Sequence, residues 1–101
     1  EVNGASNIVG IMKANKENKM IQTHATGLVL NLSTDSKESA ASVVENDGIQ
    51  AVIDAMNTFD AESEIQQRAC QFMALVGGLD AAWAKRIRDE KGLSAISHVI
   101  Q

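Results

Sequence analysis

The apolar positions along the chain follow the pattern of amphipathic helices. The clearest case is the segment from Glu64 to Gly77, where apolar residues recur at i, i+4, i+7 and i+11 and so share one helical face. A fainter copy of this spacing lies upstream, between Met20 and Ser33. The two predicted core faces are Ile65, Ala69, Phe72 and Val76 downstream, and Ile21, Ala25, Leu28 and Leu32 upstream.

Both segments belong to a repeat with a period of 44 residues. Gly4, Gly48 and Gly92 stand at this interval, and Met12 matches Met56 at the same offset. No insertion is needed to align the copies, which favours a true internal repeat, and repeat proteins usually present a binding surface. Further identical pairs are Ile21 with Ile65, Gln22 with Gln66, Ala25 with Ala69, Ala40 with Ala84 and Ala51 with Ala95.

Each 44-residue period is predicted to contain, in chain order, a short helix, a long helix and a last helix. Glycine suits the corner before the short helix, because a positive φ costs it little. Asp60 and Ser63 are expected to cap or charge the start of one long helix. Asp35 and Asp80 are expected to cap the last helix of each period. The predicted helices are 5–13, 20–33 and 35–46, then 49–57, 64–77 and 80–91, then 93–101. The single domain 1–101 thus divides into a partial repeat 1–47, a repeat 48–91 and a partial repeat 92–101.

Composition narrows the class of protein. The chain has 101 residues, no proline and three aromatic residues, which favours helices over strands. Its net charge of -4 argues against a nucleic-acid binder. It has no apolar run of the roughly 20 residues needed to span a bilayer and no recognisable signal peptide. A single cysteine favours a reducing compartment, so we expect a soluble, cytoplasmic domain without membrane contact.

Several short motifs resemble the armadillo-repeat family. Ile21-Gln22 followed by Ala25 and then Leu30-Asn31-Leu32 is similar to the family's third-helix pattern. The run from Asp47 to Met56 is similar to its second-helix pattern, and Gly92 to Ile96 repeats part of it. The resemblance covers essentially the whole chain, as a little over two repeats. It implies an all-α, right-handed α-solenoid of three-helix repeats. The family's third helices, which correspond to the long helices of this chain, line a concave groove that holds partner peptides in extended form.

The resemblance also implies which side chains face that groove. They form a stripe on each long helix, and in the second copy the stripe has helical spacing beside the core face. Asn31 matches the family's ladder asparagine, with Leu75 at that position in the second copy; Gly27 and Gln71 replace a groove tryptophan, which argues against binding of basic nuclear-import peptides. The stripes are Met20, His24, Gly27 and Asn31, and Glu64, Arg68, Gln71 and Leu75. The expected partner-binding residues are His24, Asn31, Glu64, Gln67, Arg68 and Gln71.

Other candidate chemistry is weak. No carboxylate pair, catalytic triad or metal-ligand set occurs at a workable spacing, so we expect no enzyme activity, no metal and no cofactor. Cys70 is interpreted as a small residue packed between repeats, and Trp83 as a core residue rather than a partner anchor. His24 is either a groove contact or simply exposed. The basic residues at 85, 86 and 88 are interleaved with acids, as on a salt-bridged surface.

The predicted function is a non-catalytic scaffold that binds a protein or peptide segment along the third-helix groove. The alternative is an architectural spacer or assembly module, in which stacking of repeats is the whole function. Neither end of the chain resembles a polar cap, so we expect a piece of a longer array whose exposed ends allow self-association.

Overall fold

The computed structural model describes the backbone of residues 4–100 and the side chains of residues 4–90. This part of the chain is all-α, with six helices and no strand, which confirms the predicted class. The helices are α1 (Gly4–Ala14), α2 (Lys19–Asp35), α3 (Lys37–Glu45), α4 (Gly48–Thr58), α5 (Ser63–Leu79) and α6 (Ala81–Ile100). The first five begin and end within two residues of their predicted bounds.

The core lies around α5, whose predicted apolar face is confirmed. Ile65, Ala69, Phe72 and Val76 are fully buried, and Phe72 is the largest fully buried side chain. Helices α2, α4 and α6 all pack against α5, and α2 and α5 share the most extensive contact of any two described helices. The two long helices therefore lie side by side and bury the centre of the molecule.

The predicted core face of α2 is shifted. Leu28 is half exposed, and Ile21 and Leu32 are only partly buried. The counterpart of Leu28 on α5 is the fully buried Phe72, whereas Leu28 itself lines two open surfaces of the molecule. Of the predicted face only Ala25 is buried, as expected. The other buried residues of α2 lie one position after the predicted ones: Gln22, Thr26, Val29 and Ser33.

Two glutamines 44 residues apart make the same hydrogen bonds. The Nε2 of Gln22 donates to the carbonyls of Met12 and Asn15, at 3.0 and 2.8 Å. The Nε2 of Gln66 donates to the carbonyls at the equivalent positions, Met56 and Phe59, at 2.9 and 3.2 Å. Each glutamine thus ties the long helix to the end of the short helix before it. We call these two arrangements the glutamine clamps.

The junctions before α3 and α6 are also alike. Ser36 and Asp80 occupy equivalent positions and both have extended backbones. Asp80 Oδ1 accepts from the backbone N–H of Ala82 at 2.8 Å, as a capping residue would. The predicted cap at Asp35 is wrong, because α2 continues through Asp35 and the Oγ of Ser36 accepts from the N–H of Ser39 at 3.0 Å.

The corner between α3 and α4 depends on Asp47 and Gly48. Asp47 has φ 67°, in the left-handed region that aspartate enters more readily than most residues. A Cβ on Gly48 would lie 2.3 Å from Val43 Cγ1 and 2.6 Å from the Val43 carbonyl oxygen. Only glycine allows this close approach.

The predicted corner at Gly92 is absent, because α6 continues through it to Ile100. The position equivalent to Asp47 is Lys91, which lacks the short polar side chain that favours the left-handed conformation. The proposed division at residue 92 therefore falls inside a helix.

Candidate functional site: the groove between α2 and α5

An open groove of about 350 Å³ lies where the two long helices run side by side. The structure brings four of the six predicted partner-binding residues to its walls: His24 and Asn31 from α2, and Arg68 and Gln71 from α5. His24, Asn31 and Gln71 are exposed. Glu64 lies at one side through its ion pair with Arg68, whereas Gln67 is exposed on α5 but is not among the lining residues. The remaining lining residues are Gly27, Leu28 and Leu30.

Arg68 connects the two helices. Its Nη1 donates to the backbone carbonyl of Thr23 on α2 at 2.8 Å, and its Nη2 pairs with the carboxylate of Glu64 at 2.6 Å. The guanidinium lies over Gly27, where an added Cβ would be 3.0 Å from Nη1. A glycine at this point of α2 therefore leaves room for the arginine to cross from α5.

The internal partners of Arg68 change the role expected from the sequence. Its charge is neutralised by Glu64 and one of its N–H groups is occupied by Thr23, so it acts mainly to hold α2 and α5 in register. Glu64 is likewise engaged. The groups that remain open to a partner are the imidazole of His24 and the amides of Asn31 and Gln71.

The open groove lining is neutral, polar and partly apolar. A primary amide offers both a donor and an acceptor, as does each peptide group of an extended chain. Leu28 and Leu30 add apolar surface beside these amides. Such a surface can hydrogen-bond a peptide backbone and cover one or two apolar side chains, but it provides no cluster of carboxylates for a basic peptide.

A charged cluster at the α3–α4 corner was not predicted from the sequence. Asp47 accepts from Lys13 Nζ at 3.0 Å and from Arg86 Nη2 at 3.1 Å, so one carboxylate joins α1, the corner and α6. The hydrogen bond from Lys13 first, and that from Arg86 second, hold the pKa of Asp47 below its ordinary value of 3.8. The partners lie 34 and 39 residues away in sequence, and helical periodicity carries no information at that range.

The remaining candidates have structural explanations. The predicted packing of Cys70 between repeats is wrong: the thiol is exposed, because no described helix covers that side of α5. Trp83 is half-buried against the core, as predicted. Lys85 pairs with Asp89 at 3.2 Å within α6. Among the described residues, no group of three His, Cys, Asp or Glu side chains could hold a metal ion.

A second exposed surface is apolar. It lies along α1 and α2, and its lining is apolar apart from His24; it shares His24 and Leu28 with the groove. Ile11 is 49% exposed, Met20 70% and Leu28 50%, and these are the exposed large apolar side chains of the described chain. We call this surface the α1–α2 end face; its residues are Ile8, Ile11, Met20, Ile21 and Leu28.

Comparison with known proteins gives no relative. No family model matches the chain, and neither the curated proteins nor the solved structures yield a significant match. Within the described residues, none of the helices combines the length and the apolar character needed to cross a lipid bilayer.

Proposed function

We propose that this protein is a non-catalytic interaction scaffold of the armadillo type, which binds an extended segment of a partner protein in the groove between α2 and α5. The observation that carries the proposal is the lining of that groove. Two long helices present exposed amides, Asn31 and Gln71, along one open channel, and the neighbouring charges are satisfied within the protein. The proposed ligand is therefore a neutral, partly apolar extended segment.

The proposal includes a right-handed solenoid arrangement of repeats. The equivalent glutamine clamps and the equivalent junctions at Ser36 and Asp80 support it, because both recur at the 44-residue period of the sequence. We place the protein in the cytoplasm because its single cysteine suits a reducing compartment, and we assign it no nucleic-acid, membrane or cofactor partner. Self-association through the ends of the array is part of the proposal.

The test begins with a display library of random 16-residue peptides selected against the whole chain. Binding of the selected peptides is measured by calorimetry for the wild type and for Asn31→Ala and Gln71→Ala. Loss of one hydrogen-bonding amide is worth about 1 kcal/mol, so each variant should bind about fivefold more weakly.

Gln67→Ala is the matched control, since it removes the same side chain from the same helix outside the groove lining. Unchanged affinity in Asn31→Ala and Gln71→Ala, with helical circular dichroism intact, would exclude the groove as the binding site.

The second candidate function is an architectural spacer. The extensive contact between α2 and α5 favours it, because this contact already stacks the two three-helix units on each other. It predicts that Asn31→Ala and Gln71→Ala change nothing in the full-length protein. A charge at Ile65 or Phe72, both fully buried, would abolish function by unfolding the domain.

A further inference from the structure

Four of the five residues of the α1–α2 end face correspond to positions that are buried inside the molecule. At the 44-residue offset, Ile8 corresponds to Val52 and Ile11 to Ala55, and both counterparts are almost fully buried on α4. The remaining counterparts on α5 are Ile65 for Ile21 and Phe72 for Leu28, both fully buried, and the exposed Glu64 for Met20. In the second three-helix unit, the first unit covers this surface. In the first unit, the equivalent surface is left open.

The opposite side of the molecule carries the matching half of that interface. Thr26 lies on α2 and is fully buried, whereas its counterpart on α5, Cys70, is exposed. Leu30 is half-buried, and its counterpart Ala74 is exposed. The outer face of α5, formed by Cys70, Gln71 and Ala74, therefore corresponds to the surface of α2 against which α5 packs.

We propose that copies of this chain associate head to tail, with the α1–α2 end face of one copy packed against the outer face of α5 of the next. The occupant is a second copy because the two open faces are the two halves of the contact already made between α2 and α5. Such a heterologous contact does not close on itself and generates open arrays. The inference rests on the repeat stacking in the proposed function and not on peptide binding.

The residues that differ between the two interfaces compensate in size. Within the chain, the long side chain of Arg68 crosses over Gly27 to reach the carbonyl of Thr23. Between copies, the equivalent pair is His24 and Gln71, a shorter side chain opposite a longer one. The ion-paired Glu64 is replaced by Met20, which suits the more apolar end face. The groove would then continue from one copy to the next.

Two variants, each blocking one face, test the direction of the contact. Ile11→Arg blocks the end face at a residue outside the groove lining, and Cys70→Arg blocks the outer face of α5. Both sites are exposed, and circular dichroism checks that the fold is retained. Sedimentation equilibrium of the wild type should give a mass that rises with concentration beyond a dimer. Each variant alone should remain at the 10.8 kDa of the single chain. An equimolar mixture of the two should form a dimer and nothing larger, since each supplies the face that the other retains.

Several results would overturn the proposal. They are a monomeric wild type at all concentrations, self-association of Cys70→Arg through paired end faces, and failure of the mixture to dimerise. Ala61→Arg, an equal change of charge in an exposed loop, is the control and should associate like the wild type. Asn31→Ala should also associate normally, so loss of peptide binding and loss of association are separate outcomes.

Discussion

Replacing Gln22 by methionine should destabilise the fold more than the same change at Gln66. Methionine keeps an unbranched side chain of similar length but removes the donor, so the two carbonyls in each glutamine clamp lose a hydrogen bond. Gln22 is 2% exposed, and its two bonds measure 3.0 and 2.8 Å. Gln66 is partly exposed, and its longer bond measures 3.2 Å.

The magnitude follows from what each carbonyl retains. The carbonyl of Met12 still accepts from Asn15 N–H at 3.3 Å, and that of Asn15 from Asn18 N–H at 3.0 Å. Neither carbonyl is left wholly unpaired, so the cost is near the lower end for a buried group, about 1 kcal/mol for each lost bond. Gln22→Met should therefore cost about 2 kcal/mol. Gln66→Met should cost about 1 kcal/mol, because water can replace part of the lost bonding.

Urea denaturation followed by circular dichroism at 222 nm measures the difference. A loss of about 2 kcal/mol in a domain of this size lowers Tm by roughly 10 °C, and the denaturant slope should not change. The reasoning would be refuted if Gln22→Met cost less than about 0.5 kcal/mol, or if Gln66→Met proved the more damaging of the two.

Four further substitutions test other parts of the fold. Gly48→Ala places a Cβ 2.3 Å from Val43 Cγ1 and should cost about 3 kcal/mol of stability. Gly10→Ala, whose Cβ would meet nothing within 4 Å, should instead stabilise α1 by about 0.5 kcal/mol. Urea denaturation of the two variants measures the difference. Phe72→Ala, at the largest fully buried side chain, should cost about 4 kcal/mol, and a loss below about 1 kcal/mol would contradict its place in the core. Folding lowers the pKa of Asp47 below its ordinary value of 3.8. Its carboxylate therefore stabilises the protein at pH values above 3.8, and this contribution disappears as the pH falls through the pKa of the folded state. Asp47→Asn should thus be less stable than the wild type at pH 7 and no different at pH 2; an equal gap at both would refute the ion-pair explanation.

Helical periodicity predicted most of the fold. Helices α1 to α5 were found close to their observed bounds, and the core face of α5 was right at all four positions, because α5 is packed by helices on several sides. The same reasoning applied to α2 was right at Ala25, but the other three predicted residues each lie one position before a buried one. Periodicity shows which residues are apolar, but burial also depends on which neighbours are present. Leu28 is apolar and still half exposed.

Contacts between distant residues could not be predicted. The sequence predicted that Arg68 lies in the groove, but it did not predict the bonds of Arg68 to Thr23 and Glu64. These bonds make Arg68 a contact between helices and not an open partner-binding group. A corner was predicted at Gly48 from a positive φ at the glycine, but the residue with positive φ is Asp47. At Gly92 lysine takes the place of that aspartate, and the helix continues. The corner depends on two residues, the aspartate that takes the positive φ and the glycine that fits against Val43.

The central claim, that the groove between α2 and α5 binds an extended peptide, is tested most directly by NMR. The backbone amide signals of the ¹⁵N-labelled chain are recorded while a library-selected peptide is added, at protein concentrations where the chain is monomeric. We predict shifts at His24, Asn31 and Gln71 on the groove walls, and none at Gln67. Shifts confined to the α1–α2 end face, at residues such as Ile8 and Ile11, would contradict the claim.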